Sequence, residues 1–232
     1  MIVAKHRRRF ATIGRIKTPD TSGRAGALLT DAEKHYKDLI ERSIILGELC
    51  ITWCRADSAD EVIRALDVEV LDITNSGFKG LSDESYKEQI EGGFGGFLML
   101  GEEPPWFLAM EYTGDRAYRA LDRLSSGGEA ICLIGSATLY RFALFYARDG
   151  RKICKFDYAG DIFGETAAID EHLQGLFHLH ERYADTEAGR APDGGLLDDW
   201  RMHALVLMER ITGVRLSFEW LTRGHALYRF RV

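Results

Sequence analysis

The residue types best suited to chemistry are four cysteines. Cys50 and Cys54 lie four apart, so a helix would place both thiols on one face, while Cys132 and Cys154 fall in segments that read as neighbouring strands. Four thiolates brought together would make a structural zinc site. All four interleave with large apolar residues such as Leu49, Ile51, Trp53, Leu133 and Ile153, and isolated cysteines usually serve as small core side chains. The core reading is favoured, and no metal site is assigned. The spacing is not that of a disulfide scaffold, which points to reduced thiols in a cytoplasmic protein. His178 and His180 in "HLHER" would share a face on a strand and could bind metal there. On the helix favoured for this stretch they diverge by about 200°, and His172, Gln174 and Glu181 then read as a solvated face.

The glycines of "EGGFGGFLMLGEEPPWFLAMEY", Glu91 to Tyr112, suggest a phosphate loop. A dinucleotide fingerprint needs strand, then G-x-G-x-x-G, then helix, so that backbone amides at a helix N-terminus meet the pyrophosphate. Gly93 and Gly95 fit the first two positions, Leu98 occupies the third, and the segment leads from a helix into a strand. Punctuation between helix and strand explains these glycines better. There is no G-K-S/T, no G-x-S-x-G elbow, no H-E-x-x-H and no kinase set. Ser136 in "IGSAT" reads as a strand end. Glu102/Glu103 and Asp198/Asp199 are sequence neighbours that point apart, so spacing does not make them acid–base pairs. No catalytic residue and no cofactor are assigned.

These residues sit in a pattern that predicts an α+β fold. Thr30 opens a helix carrying Tyr36, Leu39, Ile40, Ile44 and Ile45, with Asp31 and Glu33 in its first turn. "ELCITWC" extends that helix or forms a buried strand. Ser58 and Glu61 have capping-box spacing, with Val62, Ile63 and Leu66 as the buried face of a second helix. Residues 67–92 carry no clear period, apart from a short helix in "SDESYKEQIEGG" ended by Gly92. Phe97–Leu100, Trp106–Tyr112, "EAICLIGS", "LYRFALFYA" and "KICKFDY" read as strands, with an amphipathic helix at 114–125 after the second and an Asp-Gly hairpin before the last. The expectation is an antiparallel sheet of about five strands in the order β-β-α-β-β-β, packed by N-terminal and C-terminal helices. The C-terminal helices are "TAAIDEHLQGLFHLHERYAD" and a long one at 196–212, and "ALYRFRV" adds an edge strand. Profilin-like and sensor-type domains share that strand order, an analogy of fold alone. The division expected is a basic flexible arm at 1–29 and a single α+β domain at 30–232.

Several blocks carry a resemblance. "CITWCRADSADEVIRAL", "PPWFLAMEYTG", "LDRLSSGGEA", "RFALFYARDGRKICKFD" and "LMERITGVRLSFEWL" occur in the order found in an uncharacterised actinobacterial family of unknown function, which this chain resembles across roughly residues 48–222. Its blocks run Cys-x-Thr-Trp-x-Arg, Phe-x-Tyr-Ala-x-Asp-Gly and Glu-Arg-x-Thr-Gly-Val. The resemblance implies no activity and no catalytic set. Pro104 and Pro105 stand where that family tends to have glycines before the Trp.

Charge is unevenly spread. Residues 1–30 hold seven Lys/Arg against Asp20, so the remaining chain carries 23 Lys/Arg and 35 Asp/Glu. An acidic body repels polyanions and suits a basic partner. In the arm, Arg7, Arg8, Arg9, Arg15 and Lys17 interleave with Phe10 and Ile13, as arms that bind nucleic acid or acidic proteins do. No stretch of about 18 apolar residues is present to span a membrane, and the N-terminus lacks the apolar core of a secretory signal. The first expectation is a non-catalytic cytoplasmic protein-interaction or regulatory module, of the immunity or defence-system kind, with Phe94, Trp106 and Glu111 as partner contacts. The alternatives are a small-molecule-binding sensor using a pocket between sheet and long helix, and a nucleic-acid-associated protein using the arm.

Overall fold

A computed structural model describes residues 29–42, 48–92, 95–136, 141–158, 161–177 and 194–231. The fold is α+β, built on one nine-stranded antiparallel sheet. The strands are β1 (Glu48–Arg55), β2 (Glu69–Ser76), β3 (Gly95–Glu103), β4 (Trp106–Tyr112), β5 (Glu129–Ser136), β6 (Arg141–Arg148), β7 (Arg151–Asp157), β8 (Ile162–Gly164) and β9 (His225–Arg231). They lie in the order β2-β9-β3-β4-β1-β5-β6-β7-β8. The five expected strands are therefore nine. "ELCITWC" forms β1, at the centre of the sheet. The closing segment, expected at an edge, is β9 and lies inside, between β2 and β3.

Two helical layers cover the sheet. On one face lie α1 (Asp31–Arg42), α3 (Phe78–Ile90) and the long α7 (Gly194–Thr212), whose Trp200, Ala204, Leu207 and Met208 meet Ile51, Trp53, Leu108 and Met110. The terminal helices α1 and α7 pack against each other on that face. On the other lie α2 (Ala59–Leu66), α4 (Arg116–Arg119) and α5 (Leu121–Leu124), burying Val62, Leu66, Ala117, Leu121 and Leu124 against Cys50, Cys54, Leu98, Leu100 and Phe107. Strands covered on both faces lose the polar alternation that identifies a half-buried strand, so β1 and β4 read as continuous apolar runs.

Several local expectations are met. Thr30 and Glu33 cap α1 reciprocally: Glu33 Oε2 accepts the Thr30 N–H at 2.6 Å and Thr30 Oγ1 accepts the Glu33 N–H at 3.3 Å. Ser58 Oγ accepts the Glu61 N–H at 3.3 Å, although the Glu61 carboxylate reaches back to Asp57 N rather than to the cap residue itself. Gly92 follows α3 in the left-handed region, φ 68°, where a Cβ would be strained. Asp149 and Gly150 make the β6–β7 turn with φ 49° and 75°. The helix expected at 114–125 is two short helices broken at Ala120. Of the helix expected around 166–185, only Asp170–Leu173 (α6) is helical among the described residues. The last helix, α8 (Phe218–Thr222), is capped by Ser217.

Candidate interaction edge

The residues first considered for chemistry are enclosed. Cys50, Cys54 and Cys132 lie on the α2 face and Cys154 on the α7 face, so the four do not converge. Among the described residues no three of His, Cys, Asp or Glu are placed to hold a metal ion. Cys50 Sγ and Cys132 Sγ are 3.6 Å apart. The hydrogen bond to Cys132, reinforced by complete burial, pushes the Cys50 thiol well above its ordinary pKa. Burial pushes Cys54 and Cys154 up to about 12. Thiols in this state are neither nucleophiles nor ready metal ligands at neutral pH. His178 and His180 lie outside the described residues.

Trp106 and Glu111, expected as partner contacts, both point inward at 1% exposure. Phe94 and the arm residues Arg7, Arg8, Arg9, Arg15 and Lys17 lie outside the described residues. The Arg55 guanidinium sits 5.0 Å from the Trp106 ring centroid. Glu111 is the notable case. Burial raises its pKa to about 7, against the pull of two backbone donors at the start of α4, Ala117 N at 2.7 Å and Arg116 N at 2.9 Å.

That buried carboxyl anchors a chain of contacts leading outward. Arg116, held at its backbone by Glu111, donates through Nε to Leu66 O and through Nη2 to Asp67 O, both at 2.6 Å. Arg123 donates to Ala65 O at 2.6 Å and Leu66 O at 3.3 Å. Two guanidinium groups thus satisfy the last carbonyls of α2, where a helix terminus needs donors and favours positive charge. Asp67 turns the chain in the left-handed conformation, φ 55°, and β2 begins two residues later. At the other end of β2, a Cβ on Gly77 would stand 2.8 Å from Thr222 O, so the chain passes close to α8 there.

β2 is the outer strand of the sheet, and it is exposed almost throughout. Val70, Leu71 and Ile73 are 37%, 40% and 55% exposed. Its register with β9 shifts between Val70 and Asp72, leaving Leu71 in a bulge. Val70 is paired with Phe230 and Ile73 with Tyr228, both of the α2-side core, so these two apolar side chains share that face. Glu69 is paired with Arg231 and Asp72 with Arg229, on the face that carries Leu227 and the α7-side core. The bulge therefore sorts the strand into an apolar face and an acidic one.

Two openings among the described residues are poorly suited to a ligand. The void between sheet and α7, lined by Leu49, Ile51, Leu133, Gly135, Phe142 and Arg201, measures about 10 Å³, which is room for a water at most. A shallow cleft of about 320 Å³ beside α8 has Arg215, Arg223 and Glu103 in its wall. Arg215 is bound to Glu209 and Asp31, and Arg223 to Glu103, so those cations are already paired.

The sequence model of a family matches residues 37–230, more than four-fifths of the chain. The chain belongs to the family of unknown function DUF6461. The DUF6461 match takes in β2, the bulge and every contact that positions them, and leaves the basic arm outside. No curated protein and no solved structure matches the chain. No helix among the described residues is long and apolar enough to cross a membrane.

Sequence reasoning missed β2. Val70, Leu71 and Ile73 would have pointed to it only if a bulge had been allowed for, because the bulge breaks the two-residue period at Leu71.

Proposed function

We propose that this protein is a non-catalytic interaction module of the cytoplasm that docks a basic partner protein at the β2 edge. The observation that carries this reading is the exposure of Val70, Leu71 and Ile73 on an outer strand whose far side pairs with no other strand among the described residues. Natural sheets usually shorten, charge or cover such edges, because unpaired backbone groups flanked by apolar side chains invite another chain. The acidic balance of residues 31–232 selects the sign of the partner. Two further observations favour docking over catalysis or ligand sensing. The thiols and the perturbed carboxyl that could do chemistry are buried, and the void between sheet and α7 among the described residues is only water-sized.

The test is affinity capture from extract of the native host, comparing the wild-type chain with Ile73→Asp and with Lys79→Ala, a change on the exposed face of α3. A protein retained by wild type and K79A and lost by I73D supports docking at β2. Equal retention by wild type and both variants places the partner elsewhere and refutes the reading.

A further inference from the structure

We infer that the partner binds by adding a strand to β2, and that the added strand alternates apolar and basic residues. This rests on the docking reading above and specifies its geometry.

The argument starts from what the edge offers. β2 spans eight residues, and its two faces differ in chemistry: Val70 and Ile73 on the α2 side, Glu69 and Asp72 on the α7 side. An incoming strand hydrogen-bonded to this edge turns successive side chains to opposite faces. Those beside Val70 and Ile73 gain by being apolar, and those beside Glu69 and Asp72 gain by being Lys or Arg. β2 itself contains no Lys or Arg. Its acids are lightly held from within. The Arg231–Glu69 pair is long, at 3.8 Å and exposed, while Arg229 is drawn away to Glu88 on α3 at 2.9 Å. Among the described residues, the Asp72 carboxylate accepts only the N–H of its neighbour Ile73, at 2.9 Å.

That last contact gives the edge a guard. Asp72 occupies a backbone donor of the free edge, as charged side chains do on protected outer strands. A basic residue arriving next to Asp72 offers its carboxylate a better partner, and the Ile73 N–H is released to the incoming strand. An apolar strand without that charge meets an occupied donor, so the guard selects for basic segments.

Two other occupants fit less well. A second copy paired through β2 would bring Glu69 and Asp72 of each chain together on the same face, and like charges facing across strands destabilise the pair. The opposite edge, β8, is only three residues long, and the Lys155 ammonium lies 5.3 Å from the ring of its exposed Phe163. A short, cation-flanked edge is a poor template for a basic strand.

The experiment uses the full chain and three synthetic octapeptides: alternating Val and Lys, alternating Val and Glu, and a block peptide with four Val followed by four Lys. Amide hydrogen exchange is followed across the protein. With the alternating Val–Lys peptide at ten times its Kd, exchange within residues 69–76 should slow by about tenfold, and added salt should weaken the effect. The Val–Glu and block peptides should leave residues 69–76 unchanged, and I73D should abolish the response. Asp72→Asn should reduce the preference for Val–Lys over Val–Glu. Ile73 and Asp72 are both exposed, so both variants should fold.

Equal protection by the Val–Lys and Val–Glu peptides, or protection confined to other strands, overturns the inference. So does binding that appears only after residues 1–28 are removed, which would make this chain's own basic arm the occupant. If host capture depends on Ile73 while no peptide protects β2, docking stands and strand addition fails. If capture is also indifferent to Ile73, both fail.

Discussion

Glutamine at position 111 should change how stability depends on pH. Burial raises the Glu111 carboxyl from 4.5 to about 7 in the folded protein. Between those values the folded state holds a proton that the unfolded chain releases, so stability falls as pH rises through the window. Below about 4.5 both states are protonated, and above about 7 both are ionised, so the contribution is flat outside it. A gap of about 2.5 in pKa, at about 1.4 kcal/mol for each step of one, amounts to about 3 kcal/mol. Glu111→Gln cannot titrate. Its amide oxygen can still accept from one of the two N–H groups at Arg116 and Ala117, but its NH₂ faces the other donor. That mismatch costs about 1–3 kcal/mol. The variant should therefore be less stable than wild type at pH 5. The difference should move by about 2.5 kcal/mol in the variant's favour between pH 5 and pH 8, part of the window lying below pH 5. Urea denaturation at a series of pH values, with a common m-value for the two proteins, measures this directly. A wild-type-minus-variant difference that is constant from pH 5 to 8 would show that Glu111 does not titrate there. A difference that grows in favour of wild type as pH rises toward about 4.5, and is flat above it, would show that the two backbone donors outweigh burial and hold the carboxylate charged.

Further outcomes follow from the contacts that position β2. Arg116→Ala removes the donors to Leu66 O and Asp67 O, and should cost about 1.5–3 kcal/mol in denaturation while speeding amide exchange in β2. Lysine at this position should restore little, since one ammonium cannot reproduce the fork. Gly101→Ala should destabilise by about 1–3 kcal/mol and alter tryptophan fluorescence, because the new Cβ would lie 2.1 Å from Trp220 Cζ2. All four thiols are buried, so a disulfide reagent should label none in the native protein and four after unfolding. Rapid labelling of any in native buffer would contradict the packing of both core layers. Ile73→Asp should leave the denaturation midpoint nearly unchanged, since the side chain is already more than half in water.

Much of the architecture was legible because local rules and tertiary packing agreed. Thr30–Glu33, the Asp149–Gly150 turn and the apolar faces of α1 and α7 carry their own signals. The strands β3 to β7 were readable as apolar runs with turns between them. What failed was strand number and position. β1 is apolar on both faces because helices cover both, so its period could not separate helix from strand. β9 reads as an edge by its place in the chain, yet only pairing shows that it lies between β2 and β3. The inward turn of Trp106 and Glu111 follows from the sheet's two-sided burial, which one strand's sequence does not reveal. β2 was hidden by its bulge, and with it the site proposed above.

The most direct test of docking at β2 is amide exchange across the chain with and without a protein captured from the host. The account predicts slower exchange across residues 69–76, with α7 unchanged and the effect lost in I73D. Protection elsewhere in the molecule, with residues 69–76 exchanging as in the free protein, would contradict it.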